Sequence, residues 1–252
     1  MEGLFICGRF NISSTPGLQA LMDALGAKVD LGPTRLNIAP TEAVPVLRRD
    51  DSGESELLSA LWWLTPHWSK GVSQKYAMFN ARSEGLRKSP AFRKPFTSQR
   101  GIVPMSSFIE WRGQAGQKQP WRISNDDEAL AVAALWDVWR GDDQSLLSCT
   151  LVTTEAAQAF KPWHSRMPVM LDLESCERWL DNSAVIAESD LAFAPRLHNR
   201  LHLTPIDTAV GNARNKSADS QRPTGERVTL NPDVDDKSTQ LSRLPRHHFT
   251  SA

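Results

Sequence analysis

Cysteine is scarce in this chain of 252 residues: Cys7, Cys149 and Cys176 are odd in number and far apart, with no CxxC pair among them. That argues against a disulfide framework and a thiolate zinc site, and fits a reducing, cytoplasmic setting. An excess of either charge is also missing. The 29 Lys and Arg balance 29 Asp and Glu, so total charge selects no partner. Apolar runs fall far short of the ~20 residues of a membrane-spanning helix, and the residues before Cys7 are too few for a secretory signal. The six histidines form no HxH or HExxH ligand set, so neither metal nor other cofactor is expected. A soluble, cytoplasmic monomer without membrane contact is the expectation.

What is present is strand-like. Thr15 caps a short helix that begins at Pro16, presents Leu18, Leu21, Met22 and Leu25, and closes at Gly26. Val44 to Leu47 and Leu57 to Leu64 read as a hairpin. Strands follow at Gly101 to Trp111, Pro120 to Ser124, Ala129 to Trp139 and Leu146 to Thr153, with Gly-containing turns after Trp111 and Trp139. Asp172 caps a second helix whose Leu173, Cys176 and Leu180 share a face. Residues 69–100 lack either period and read as a long ordered loop with a helical turn near Ala91. Beyond Lys216 apolar residues thin out, and a disordered tail is expected over 217–252. The fold class is α+β, predominantly β: one compact domain over 7–216 with a twisted, antiparallel, barrel-like sheet and a few short helices.

Several side chains invite chemistry. Cys7, as a mature N-terminus, would be a 1,2-aminothiol able to condense with an aldehyde and close a thiazolidine ring; the plainer alternative is a small buried apolar residue. Glu110, in Phe108-Ile109-Glu110-Trp111, is either a desolvated carboxylate with a raised pKa or an outward-facing strand residue. His164, between Trp163 and Arg166, is a structural imidazole unless a partner such as Glu110 meets it. Asn80 and Arg82 suit a substrate hydroxyl and a phosphate, or a turn and a solvated surface. From Ala81 to Arg100 the charges are Arg82, Arg87, Lys88, Arg93, Lys94 and Arg100 against Glu84 alone. With Trp62, Trp63 and Trp68 nearby, this loop fits either a groove for single-stranded nucleic acid or a solvated basic surface beside core tryptophans.

Taken in order, Cys7-Gly8-Arg9-Phe10, Asn37-Ile38-Ala39-Pro40, Asn80-Ala81-Arg82-Ser83-Glu84, Phe108-Ile109-Glu110-Trp111, His164-Ser165-Arg166-Met167-Pro168 and Val210-Gly211-Asn212 resemble the SRAP family of abasic-site processing proteins. The resemblance implies a partner, single-stranded DNA containing abasic sites, trapped as a covalent thiazolidine crosslink on Cys7. It implies that Asn80 positions the amine or the opened sugar, that Glu110 moves protons, and that His164 assists ring opening. Arg9, Arg82 and Arg166 would hold flanking phosphates, with Asn37, Pro40 and Trp68 near a kink in the DNA. Residues 1–6 are then a leader removed by autoproteolysis or the product of a misplaced start. A non-covalent DNA-binding relative with a blocked terminus and a Cys-dependent autoprocessing peptidase are the alternatives. Ser106-Ser107 stands where the family has Asp-Gly, and Pro90 stands where another phosphate-binding Arg is expected.

Overall fold

The computed structural model describes residues 7–27, 31–73, 75–114 and 116–232. In chain order the elements are β1 (Phe10–Ile12), α1 (Pro16–Ala24), β2 (Arg35–Ile38), β3 (Ala43–Arg49), β4 (Ser55–Leu61), β5 (Asn80–Arg82), α2 (Arg93–Ser98), β6 (Arg100–Met105) and β7 (Ser107–Arg112). They continue with β8 (Gln119–Ser124), β9 (Leu130–Arg140), β10 (Ser145–Glu155), β11 (Arg166–Pro168), β12 (Met170–Leu171), α3 (Leu173–Leu180), β13 (Leu201–Pro205) and β14 (Val228–Leu230). Strands β10, β4, β3, β6 and β9 pair in that order, and β9 pairs back onto β10, closing a barrel that β5, β11 and β12 extend. The second sheet runs β14-β13-β8-β7-β1-β2. Closure leaves the ring without exposed edges. It also explains why β9 is buried from Leu130 through Asp137 instead of alternating.

Local signals account for both capped helices. Leu18 N donates to Thr15 Oγ1 at 3.2 Å, Pro16 opens α1, and Gly26 at φ 74° ends it. Ser175 N donates to Asp172 Oδ1 at 2.8 Å at the start of α3. The inward face of α3 is Cys176, Trp179 and Leu180, however, and Leu173 is half exposed. Trp179 takes the place expected for Leu173 because its ring packs between Phe96 and Phe193.

Three expectations are corrected. The run 101–111 is two strands in different sheets, broken at Ser106, where Ser106 N donates to Asn11 O at 2.9 Å and Ser13 N donates to Ser106 Oγ at 3.1 Å. The chain is buried from Gly101 through Glu110, so no change of burial marks the break. Residues 69–100 are not a plain loop: β5 pairs in parallel with β10, and α2 packs Phe96 against Trp179. Nor does the fold end at Lys216. Strand β14 pairs with β13, and Gln221 is buried with its Oε1 accepting from Asn11 Nδ2 at 3.1 Å. The rest of the expected tail, 233–252, and the segment 1–6 lie outside the described residues.

Arg100 ties the barrel to its helices. Its buried guanidinium donates to Trp179 O, Phe96 O, Thr97 O, Asp181 O and Ala184 O. It thereby satisfies carbonyls at the C-terminal ends of both α2 and α3, which have no partner inside their own helices. One arginine of the basic run is thus structural.

Candidate active site

Antiparallel pairing of β1 with β7 builds the centre of the site. Phe10 lies opposite Phe108 and Asn11 opposite Ser107, and Ile109 N donates to Arg9 O at 2.9 Å. Running this ladder back toward the N-terminus brings Cys7 onto Glu110, and Cys7 N donates to Glu110 Oε1. Cys7 has φ 52°, the left-handed region, which turns its N–H inward to reach the carboxyl group. Both side chains are buried, at 0% and 3% exposure. Desolvation pushes the Glu110 carboxyl up to about 8 despite the hydrogen bonds from Cys7 and Trp111. Desolvation, and then the Glu110 charge, push the Cys7 thiol well above its ordinary value. The carboxyl is therefore neutral below pH ~8 and able to give a proton as well as take one. Beside Cys7 there is room, since a side chain built on Gly8 would meet nothing within 4 Å.

His164 follows a turn that packs on the face of β7 and β8 that carries Phe108 and Trp121. In that turn, 156–163, Phe160 packs 6.2 Å from Phe108 and Trp163 stands edge-on at 5.8 Å from Trp121, the residue opposite Glu110 on β8. Arg112, two residues after Glu110, caps the Trp163 ring at 5.1 Å. Arg166 N donates to His164 Nδ1 at 3.0 Å, so the neutral ring carries its proton on Nε2. Burial, and then the positive charges of Arg166 and Lys118, hold the imidazole below its ordinary value. His164 is thus a neutral Nε2–H donor at pH 7. Asn80 opens β5 opposite Leu151, and Phe79 beside it shares one apolar cluster with Cys7, Phe108, Phe160 and Trp163. The segments that carry the four candidate catalytic residues all contribute to this core cluster, and of the four, Cys7 and Glu110 are joined directly.

The candidate DNA-contact residues divide. Trp68 is 59% exposed and Arg82 is exposed. Trp62, by contrast, is fully buried with Nε1 donating to Phe79 O at 2.8 Å, and Trp63 is partly buried against Phe79. Arg9 is partly buried, lies 5.9 Å from the Trp111 ring centre and donates to Gly8 O at 3.0 Å. Pro40 is partly buried just beyond β2. Arg166 already holds Glu84 with two bonds of 2.9 and 3.0 Å and donates to Thr153 O at 2.7 Å, so a phosphate there competes with a carboxylate. Although partial burial opposes it, Arg166 keeps the Glu84 carboxyl below its ordinary value.

Asn37 does structural work in this state. It is buried at φ 52°, and Nδ2 lies 3.0 Å from each of Val210 O, Asn212 O and Asn215 O. Its backbone N–H donates to Asn11 Oδ1 at 2.8 Å. Asn37→Ala is expected to cost about 2–3 kcal/mol of folding stability through carbonyls left unpaired. A urea titration measures that loss.

Two residues that sequence reasoning passed over hold the site together. Asn11 joins β1, β2, β7 and the turn at 218–221 through Asn37, Ser107 and Gln221. In Phe10-Asn11-Ile12 it reads as the outward position of a strand, and only the returning chain covers it. Glu84 was the lone acid in a basic run, and its pairing with Arg166 joins segments 82 residues apart. Among the described residues no three His, Cys, Asp or Glu side chains come together to hold a metal ion.

A model of the SOS response associated peptidase (SRAP) family matches residues 6–213. The chain is 36% identical over 182 residues to abasic site processing protein YoaM of Bacillus subtilis, covering 70% of this chain and 79% of that one. It is 36% identical over 148 residues to YoqW of the same organism, covering 58% and 66%, and 24% identical over 245 residues to HMCES of Mus musculus, covering 81% and 69%. Among solved structures, a protein from Bacteroides thetaiotaomicron superposes with a TM-score of 0.63 at 21% identity, over 86% of this chain and all of that one. A phage-related protein from Bordetella bronchiseptica gives 0.58 at 22%, over 91% and 95%. At such identities the likeness is one of fold.

Proposed function

For a chain that belongs to the SRAP family, we propose the activity named in its relatives: this protein processes abasic sites, and it traps them in single-stranded DNA through Cys7. The observation that carries the reading is the bond from Cys7 N to a buried Glu110 whose carboxyl is pushed up to about 8. A free Cys7 amine adds to the aldehyde of the ring-opened sugar. The carbinolamine then loses water, with Glu110 protonating the departing hydroxyl, to leave a Schiff base. The thiol adds across that C=N bond, passing its proton to nitrogen by way of Glu110, and the thiazolidine closes. His164, as a neutral Nε2–H donor, hydrogen-bonds the ring oxygen as the sugar opens, and Asn80 orients the amine.

With Ile6 still attached, Cys7 N is an amide and cannot condense. We assign its release to translation beginning at a codon just before Cys7, with the initiator methionine then removed, or to autoproteolysis. In the second route the Cys7 thiol attacks the Ile6 carbonyl, the C–N bond breaks as Glu110 protonates the amine, and water hydrolyses the thioester. Intact mass spectrometry before and after incubation with an abasic oligonucleotide tests the reading. A mass beginning at Cys7 that rises by the oligonucleotide less one water is expected. A mass retaining residues 1–6 with no adduct favours non-covalent binding. Cys7→Ala should abolish the adduct, and undiminished adduct in that variant overturns the mechanism.

A further inference from the structure

A histidine and carboxylate pair stands outside the centre just described, with its histidine next to the exposed Trp68 along the chain. Asp137, on the barrel strand β9, is 1% exposed. Its Oδ2 accepts from the backbone N–H of His67 at 2.9 Å and lies 2.9 Å from His67 Nδ1. Its Oδ1 accepts from Val138 N at 2.9 Å and from Gln99 Nε2 at 3.3 Å. Every neighbour donates to this carboxylate, so Nδ1 carries a hydrogen and Nε2 is the ring's outward nitrogen. The His67 side chain is 38% exposed. It lines a cleft of about 420 Å³ with Trp68, Pro90, Arg93 and Lys94. No carboxylate lines that cleft, and neither Arg93 nor Lys94 makes an ion pair among the described residues.

We propose that His67, backed by Asp137, forms with Arg93 and Lys94 a phosphate-binding subsite for a single strand whose base stacks on Trp68. Two cationic side chains and an imidazole beside one exposed ring offer partners to both halves of a nucleotide. When Nε2 takes a proton the imidazolium donates outward to a phosphate oxygen, while Asp137 behind it balances the charge. The groups facing His67 are Asp137 on one side and Arg93 and Lys94 on the other. Trp68 also lines a neighbouring cleft of about 380 Å³ with Leu64, Pro66, Tyr76 and Met78. A groove that continues past the ring suits a strand rather than a lone mononucleotide. The subsite lies beside Pro90, the position where a further arginine was expected.

The inference rests on the reading of this protein as a binder of single-stranded DNA, and its test is separate from crosslinking. Affinity for an undamaged oligothymidylate is measured by fluorescence anisotropy across a range of NaCl concentrations. Each lost phosphate contact lowers the slope of log K against log salt by about 0.7. His67→Ala is expected to lower it by about that amount, and Arg93→Ala with Lys94→Ala by about twice as much. His67→Arg should restore the slope, whereas Asp137→Asn should reproduce the His67→Ala loss. A purely structural role would weaken binding equally at every salt concentration. An unchanged slope in His67→Ala, or an Arg variant that fails to restore it, overturns the subsite while leaving abasic-site trapping intact. Absence of the Cys7-dependent adduct would overturn the trapping instead.

Discussion

Glu110→Gln is expected to slow crosslink formation by about 10²- to 10⁴-fold, the usual share of a positioned general acid or base, with affinity for undamaged DNA retained. Gln preserves the shape of Glu110 and the acceptor for Cys7 N but has no proton to exchange. Quenched-flow gels of the protein with an abasic oligonucleotide measure the rate. Wild-type crosslinking should show a pH inflection from Glu110, which burial raises and the free Cys7 amine beside it lowers again, and the Gln variant should lose this inflection. A variant that reacts at the wild-type rate removes Glu110 from the chemistry.

The same group makes stability fall with rising pH. Its folded pKa is about 8 against an ordinary value of 4.5, so between those limits the folded protein holds a proton that the unfolded chain has released. The contribution of Glu110 is therefore full below pH ~4.5, declines as pH rises, and levels off above ~8, a loss on the order of 3–5 kcal/mol. Urea titrations at pH 5, 6.5 and 8 should show a smaller decline in Glu110→Gln. An equal decline in the variant would assign the pH dependence to other groups.

Arg100→Ala is expected to destabilise the fold by about 3–5 kcal/mol, because removing the guanidinium strands several buried carbonyls at once. For a domain of this size that corresponds to a fall in Tm on the order of 10 °C. Desolvation lowers the Arg100 pKa, and the nearby Asp181 charge raises it again, yet a guanidinium stays protonated in proteins. Arg100→Lys should recover only part of the loss, since an ammonium has three donors where the fork satisfies five carbonyls. Differential scanning calorimetry measures all three proteins. A shift of less than about 2 °C in Arg100→Ala would show that water replaces the guanidinium at little cost.

Elements closed by short-range chemistry were legible in the sequence. Thr15 with Pro16 and Asp172 with Ser175 are settled within one helical turn, and the turns after Arg112 and Arg140 within a few residues. What failed depended on distant partners. Three-residue β5 has no periodicity to read and exists because it pairs with β10. Strand β14, with two exposed residues of three, forms on the open edge of β13. The run Ile102 to Glu110 is buried throughout, so its division at Ser106 depends on Asn11 rather than on its own pattern.

The site divides along the same line. Residue types and their order in the sequence determined that a cysteine, an asparagine, a carboxylate and an imidazole were available, and their motifs pointed to the family. Only the tertiary structure decided what state those groups are in. Pairing of β1 with β7 puts Cys7 N on Glu110, and burial, a property of the assembled sheets, raises the pKa of that carboxyl to about 8. Packing also sends Asn37 inward, spends Arg100 on helix ends and leaves Trp68 as the exposed ring of its trio with Trp62 and Trp63. The physical reason is range: caps and turns act over a few residues, whereas desolvation and charge pairing depend on segments about a hundred residues away, as from Cys7 to Glu110.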